Sequence, residues 1–475
     1  MARTFDGSPE ELAEYVECRR RLREERVPVS VAGCSDSQRV HLACELAMGK
    51  ELLLLLTYNE VRAKELYEDA ACFSRGPVYL YPSKDLLFFQ ADVRGMLLTA
   101  RRMEVLRRIL ESGCGTIVAS VDGCMDRIAS PGKLTRSILE LVQGDEADIA
   151  GLAARLTAMG YERCAQVESV GQFSVRGGIL DVYALAEENP VRIEFWGDEI
   201  DSIRSFDVET QRSLENLEFA RIYPASECFE DDGFLLQYFS ADDIVALDEP
   251  EHIAEKAAAV AAEFDESMRQ RLEKGLQTAD ELPTLLPPEK LWGRLSRGRV
   301  LLLTTFEYRG IPVRTASRYN IQARTIHSYG NNFELMLQDM ARWKRDNYRV
   351  ALLCGSRSRA ERIAANLREY EISAFFAEDE ARRPQPGQVL VTYGNIHKSF
   401  EYPMLRMVIV SEGDLFGKVQ RKKRKKTTYS GKRVQSFREL SVGDYVIHEN
   451  HGLGIYKGIE KKIVGDIEKD YMIFM

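Results

Sequence analysis

Residues 33–40, Gly-Cys-Ser-Asp-Ser-Gln-Arg-Val, follow the apolar run Val29–Ala32 and open a helical pattern. That is the setting in which a loop cradles phosphate groups at a helix N-terminus. Holding a triphosphate takes a second glycine so that the backbone can wrap the anion, a lysine for the β/γ oxygens and a hydroxyl for Mg²⁺. Here Gly33 stands alone, and the other positions hold Gln38, Arg39 and Val40. A second strand pattern, Ile244–Leu247, ends in Asp248 and Glu249, acids of the kind that hold Mg²⁺ and orient water. The two segments read either as halves of a degenerate nucleotide site or as a loop that never held one, with Asp248 capping the helix from Pro250. Both readings predict no ATP hydrolysis at this site, no catalytic residue and no bound cofactor. The rival is a DNA-dependent ATPase that uses Arg39 with Asp248 and Glu249 in an unusual arrangement.

A different chemistry, recognition, is suggested by Val191–Trp196. Period-two alternation sends Val191, Ile193 and Phe195 to one face and Arg192, Glu194 and Trp196 to the other. An Arg and a Trp on one exposed face make the pairing that dominates protein–protein hot spots. Arg176 precedes Gly177–Gly178, whose small size leaves its guanidinium uncovered. Arg204 belongs to a strand that alternates poorly. The competing reading of these arginines is a surface salt bridge to Glu194 or Asp181.

The nine cysteines form no CxxC pair and read as reduced packing residues. His448 and His451 are spaced like ligands but lack partner cysteines or carboxylates at metal spacing, so they read as turn-capping residues and no metal site is expected. Residues 417–438 hold ten Lys/Arg and no acid in a chain of net charge −9. The remainder is therefore strongly acidic and repels phosphate backbones. If nucleic acid is touched, the run Arg421, Lys422, Lys423, Arg424, Lys425 and Lys426 is the first candidate; the favoured alternative is a solvated tether.

These residues need elements to place them, and 475 residues exceed one core. Apolar residues at 45% and charged residues at 29% fit globular domains. Residues 1–25 hold no charged-then-apolar leader and no run of about twenty apolar residues occurs, so a cytoplasmic protein without a membrane partner is expected. Strand patterns at Val29–Ala32, Leu52–Thr57, Val78–Tyr81 and Thr116–Val121 alternate with helical stretches Ser37–Ala47, Glu60–Ala70 and Leu97–Ser112, which predicts a parallel α/β sheet. Lys133–Glu168 reads as helical and Ser169–Ile222 as alternating strands, together a small α+β insert. The sheet resumes with strand Ile244–Leu247, helix Pro250–Gly275 and strand Arg299–Thr304. Residues 325–416 read as a further α/β unit, with helices Asn332–Arg345 and Arg357–Tyr370 and strands Arg349–Leu353, Gln388–Thr392 and Met407–Val410. Leu440–Met475 alternates like the first strands of a small barrel, the pattern still running at Met475.

The segments Gly171-Gln-Phe-Ser-Val-Arg-Gly-Gly-Ile-Leu-Asp-Val-Tyr183, Val191–Arg204 and Phe206–Arg212 resemble the UvrB interaction domain, through which UvrB and the transcription-repair coupling factors engage UvrA. Leu440-Ser-Val-Gly-Asp-Tyr-Val-Ile-His-Glu-Asn-His-Gly-Leu-Gly-Ile-Tyr-Lys-Gly458 looks like the start of the CarD-like, RNA-polymerase-interacting domain, which UvrB lacks. The functional P-loop of UvrB and the aromatic DNA-clamping hairpin after it are not present. The resemblance is thus to the N-terminal part of the coupling-factor family, over essentially the whole chain.

That resemblance implies a degenerate helicase-like (RecA-type) α/β body at 1–127 and 214–324, interrupted by a UvrB-type interaction domain at 128–213. An additional α/β domain at 325–416, a basic linker at 417–438 and a truncated CarD-like β-barrel at 439–475 follow. It implies UvrA contact through Arg176 and Arg192, with Trp196 where the family has an aromatic and Arg204 nearby. It implies contact with the RNA polymerase β subunit by strand addition at the barrel edge, near Lys462, Ile463 and Val464. The expected role is an adaptor in transcription-coupled nucleotide excision repair that meets DNA only weakly. The family's ATP/Mg-dependent translocase motor is expected to be absent, and the alternatives are a translocase subunit or a non-functional truncated fragment.

Overall fold

The structure is a computed structural model that describes residues 8–47, 51–84, 96–185, 187–226, 233–273, 275, 285–307, 310–330, 332–377, 383–416, 443, 445–448, 452–464 and 467–474. Strands β1 (Val29–Ala32), β2 (Leu52–Thr57), β3 (Val78–Tyr81) and β4 (Gly115–Ser120) come first. The insert then contributes β5 (Gln172–Arg176), β6 (Ile179–Val182), β7 (Val191–Trp196), β8 (Glu199–Phe206) and β9 (Ser213–Leu217). The chain returns with β10 (Ile244–Asp248), β11 (Arg299–Leu303) and β12 (Ser317–Asn320).

The first and last groups make one seven-stranded parallel sheet in the order β12-β1-β11-β10-β2-β4-β3. A parallel sheet covered on both faces selects unbroken apolar strands, and all six residues of β2 are buried. Leu52, Leu54 and Leu56 enter one core while Leu53 and Leu55 enter the other. Helix α1 (Asp36–Leu46) follows β1, and α2 (Glu60–Phe73) follows β2. Asn59 starts α2 by accepting the Arg62 N–H at 2.8 Å, which satisfies a donor that the first helical turn leaves over.

In the insert, β5 to β9 pair antiparallel in sequence order, and Glu162–Arg163 adds in parallel beside β5. Phe173, Leu180, Ile193, Ile200 and Ile203 pack against Leu152 and Leu156 of the helix Ile149–Ala158. The helical reading of Lys133–Glu168 is corrected: helix Pro131–Ser137 gives way to the strand Leu139–Val142, then helix Ile149–Ala158 and the strand Glu162–Arg163. Leu139 and Leu141 are buried while Glu140 and Val142 are exposed, a period of two that breaks the helix. This strand pairs antiparallel with Phe219–Ile222, so both ends of the insert leave side by side.

Residues from 324 build a second α/β sheet from β13 (Arg349–Cys354), β14 (Ala374–Phe376), β15 (Val389–Tyr393), β16 (Phe400–Tyr402) and β17 (Met407–Ser411), ordered Arg324–Thr325, β16, β17, β13, β15, β14. Strands β12, β14 and β16 have only three or four residues, too short for a periodic signal. The final strands, β18 (Tyr445–His448), β19 (Gly452–Val464) and β20 (Ile467–Phe474), form an antiparallel three-stranded sheet rather than a closed barrel. Among the described residues no helix is long and apolar enough to cross a membrane.

One glycine fixes how the strand Gly233–Phe234 lies on Arg127–Ile128. A Cβ at Gly233 would stand 2.3 Å from the Ser130 amide nitrogen and 2.6 Å from the Ile128 carbonyl oxygen. Backbone on both sides cannot yield, so Gly233→Ala is expected to cost about 2–3 kcal/mol in urea unfolding.

Candidate functional site

Arg39 lies in the second turn of α1 and is 6% exposed. Its Nη1 donates to Asp248 Oδ1 at 2.6 Å, and its Nη2 donates to Thr305 Oγ1 at 2.5 Å and lies 2.6 Å from Glu249 Oε1. Asp248 Oδ2 also accepts from Thr57 Oγ1 at 2.9 Å and from Arg62 Nε at 3.1 Å. Glu249 Oε1 accepts the Thr305 N–H at 3.1 Å and its hydroxyl at 2.6 Å. The acids at the end of β10 are therefore held by two guanidiniums, and Asp248 does not cap the next helix. Burial pushes the Asp248 carboxyl up, but Arg62 and Arg39 outweigh it and hold it below the ordinary carboxylate range.

The loop borders a cavity of about 480 Å³ lined by Gly33, Cys34, Ser35, Thr305, Asn320 and Gln322. Gly33 has φ +78°, and a Cβ there would come within 2.6 Å of Asn320 Oδ1, so the Asn320 side chain lies against the glycine. Gln38 accepts the Ser35 N–H at 3.1 Å and donates to the Tyr402 hydroxyl at 3.1 Å. Val40 is buried in the core.

The second site is the outer face of the insert. Cross-strand register places Ser174, Asp181, Arg192, Arg204 and Asn216 on one rung, with Arg176, Ile179, Glu194 and Ser202 on the next rung of that face. Val191, Ile193 and Phe195 turn to the core, as alternation requires. Trp196, at the tip of the β7–β8 hairpin, is 83% exposed.

Arg192 is not the open contact that alternation suggests. Asp181, fully buried, accepts from its Nε at 2.7 Å and its Nη2 at 3.0 Å. The guanidinium stacks 4.4 Å above the Phe206 ring and donates to Gln211 Oε1 at 3.3 Å. The turn 207–212 folds over it, tied by Asp207 accepting from the Thr210 N–H and hydroxyl at 2.7 Å. Arg176 shares Asp181, its Nη2 2.5 Å from Oδ2, yet keeps 44% of its side chain exposed. Arg204 pairs with Glu194, and both are about a third exposed. Replacing Asp181 with alanine would leave the half-buried Arg192 guanidinium without its carboxylate, so Asp181→Ala is expected to destabilise the insert by about 1–2 kcal/mol in chemical unfolding.

For the C-terminal segment, Lys462, Ile463 and Val464 pair with Lys469, Glu468 and Ile467 of β20. Strand β18 reaches only Gly452–Ile455, so among the described residues no strand covers the other edge of Lys462–Val464. The basic run Arg421–Lys426 lies outside the described residues, as does His451. Among the described residues no group of three His, Cys, Asp or Glu side chains could hold a metal ion.

Sequence reasoning missed Arg62, Thr57 and Thr305 as partners of the two acids, and Phe206 and Gln211 as the seat of Arg192; the competing reading of the arginines, a salt bridge to Asp181 or Glu194, is what Arg176, Arg192 and Arg204 make. A polar Thr57 closing a run of five leucines was one usable signal. The rest follow from contacts between segments far apart in the chain.

Residues 139–228 match the family described as UvrB interaction domain, and residues 440–474 match the CarD-like/TRCF RID domain. The chain is thus one that joins these two modules through α/β sheets. It is similar to the transcription-repair-coupling factor of Bacillus subtilis (strain 168), 28% identical over 93% of this chain and 43% of that protein. The transcription-repair-coupling factors of Staphylococcus haemolyticus and Staphylococcus aureus (strain bovine RF122 / ET3-1) are each 26% identical, over 94% and 93% of this chain. The chain spans 43% of the length of these three proteins.

Proposed function

We propose that this chain is an adaptor of transcription-coupled nucleotide excision repair, working in the bacterial cytoplasm, that recruits UvrA through the outer face of its insert and contacts RNA polymerase through its C-terminal strands. The observation that carries the reading is the insert: a match to the UvrB interaction domain over 139–228 that presents Trp196 at 83% exposure at a hairpin tip, two residues along the strand from Glu194, which shares a rung with the exposed Arg176. Exposed Trp and Arg supply area and directed hydrogen bonds, the features of binding hot spots. Arg176, Trp196 and the Arg204–Glu194 pair form the contact, and the half-buried Arg192 acts as a strut beneath it. The uncovered edge at Lys462–Val464 suits strand addition by the polymerase β subunit.

In this reading the Gly33–Val40 loop takes no ATP, because Arg39 engages both acids that would hold Mg²⁺ and the loop has neither a second glycine nor a lysine to grip phosphate. The DNA contact is weak and belongs to the basic run Arg421–Lys426. Mixing the chain with a fluorescent ATP analogue and Mg²⁺ should give no saturable binding. Saturable binding that Asp248→Ala abolishes would favour the ATPase reading instead. Recruitment is tested by a pull-down of UvrA, in which retention unaffected by Arg176→Ala together with Trp196→Ala would overturn the docking face.

A further inference from the structure

The helix that follows the loop is held by a neighbouring unit of the chain. On α1, Ser37 accepts the Lys398 N–H at 2.9 Å, and Gln38 and His41 meet the Tyr402 hydroxyl at 3.1 and 3.0 Å. On α2, Asp69 Oδ1 accepts the His397 N–H at 2.6 Å, and Glu65 lies 3.1 Å from His397 Nε2. Ser37, Gln38, His41, Asp69, Phe400 and Tyr402 are all at most 1% exposed. Phe400, Tyr402, Met407 and Ile409 share one hydrophobic core with Val40, Leu42, Ala63 and Leu66. In a nucleotide-binding sheet the phosphates fix the helix after the loop; here a neighbouring unit of the same chain does so.

We infer that the unit of residues 325–416 is a built-in brace, occupying in place of a nucleotide the face that α1 and α2 present, and that its grip is set by a proton held at Asp69. Asp69 Oδ2 is buried and has no hydrogen-bond partner among the described residues. The charged and titratable groups around it are Arg62 and Glu65 on its own helix, and Asp36, 4.0 Å from Arg62, with His41 on α1. His397, Lys398 and Tyr402 come from the brace. Burial pushes the Asp69 carboxyl up to about 7, against the His397 N–H, the Ser37 hydroxyl and Arg62, which favour the anion. A carboxyl whose folded-state value is raised contributes stability that is complete below the ordinary carboxylate value, falls as pH rises from there, and is lost once pH passes the folded-state value.

Calorimetry of the full chain at a series of pH values tests this. At pH 4.5 the brace and the seven-stranded sheet should melt in one transition. At pH 8.5 the brace should leave first, separated by roughly 5 °C, the separation growing with pH up to about 7 and staying level above it. Asp69→Asn, which cannot lose the proton, should melt in one transition at both pH values. Should that variant fail to fold, Ser37→Ala removes a donor that favours the anion and should move the levelling-off to higher pH. A separation that does not change between pH 4.5 and 8.5, an Asp69→Asn chain with the wild-type pH response, or a Ser37→Ala chain whose levelling-off does not move would each overturn the inference.

Discussion

Arg39→Met is expected to lower the stability of the unit that contains the seven-stranded sheet by about 3–5 kcal/mol, because it leaves buried carboxylates with too few partners. Arg39 contacts both Asp248 and Glu249, and the remaining guanidinium, Arg62, reaches only Asp248. Both acids are nearly inaccessible to water, Asp248 at 4% and Glu249 at 6% exposure, so solvent cannot take over. A surface salt bridge lost in the same way would cost under about 1 kcal/mol, and urea unfolding separates the two cases. Combining Arg39→Met with Asp248→Asn should cost less than the sum of the single changes, since the second removes the charge that the first leaves stranded. The same network fixes acid sensitivity. Asp248 has its carboxyl held low, so its contribution is present above the ordinary carboxylate value and is lost as pH falls through its lower folded-state value.

The second large effect concerns binding rather than stability. Trp196→Ala is expected to weaken UvrA binding at least about 30-fold, the equivalent of about 2 kcal/mol for a hot-spot aromatic. With 83% of its surface in water, the indole contributes little to folding, so the melting temperature should stay within about 1 °C of the parent chain. Arg192→Ala should behave in the opposite way. It removes the partner that Asp181, Phe206 and Gln211 hold, so its loss of affinity comes with a measurable loss of stability. Comparing the two variants by melting and by UvrA titration separates contact from support.

The parts of this molecule that were legible in the sequence are those governed by local periodicity. Strand β2 is readable because a parallel strand buried on both faces needs five consecutive leucines, and β7 because a half-buried strand alternates. The outward turn of Trp196 follows from that alternation alone. The partial cover over Arg192 does not, because it depends on Asp181 one strand away and on a turn, 207–212, that folds back over the face. The loss of the phosphate grip was legible only in part. Gln38, Arg39 and Val40 announce a missing grip, yet that Arg39 spans to Asp248, 209 positions later, is a tertiary fact. Short strands such as Phe400–Tyr402 have too few residues to show a period, and this one matters because it carries the Tyr402 hydroxyl to Gln38.

The most direct measurement is a solution titration of UvrA against three forms of the chain: wild type, the Arg176→Ala/Trp196→Ala pair, and Lys290→Ala, a change remote from the insert face, as control. The account predicts saturable binding for wild type and the control, and loss of at least about 30-fold for the pair with an unchanged melting curve. Equal affinity for all three forms, or no binding by the wild-type chain, would contradict it.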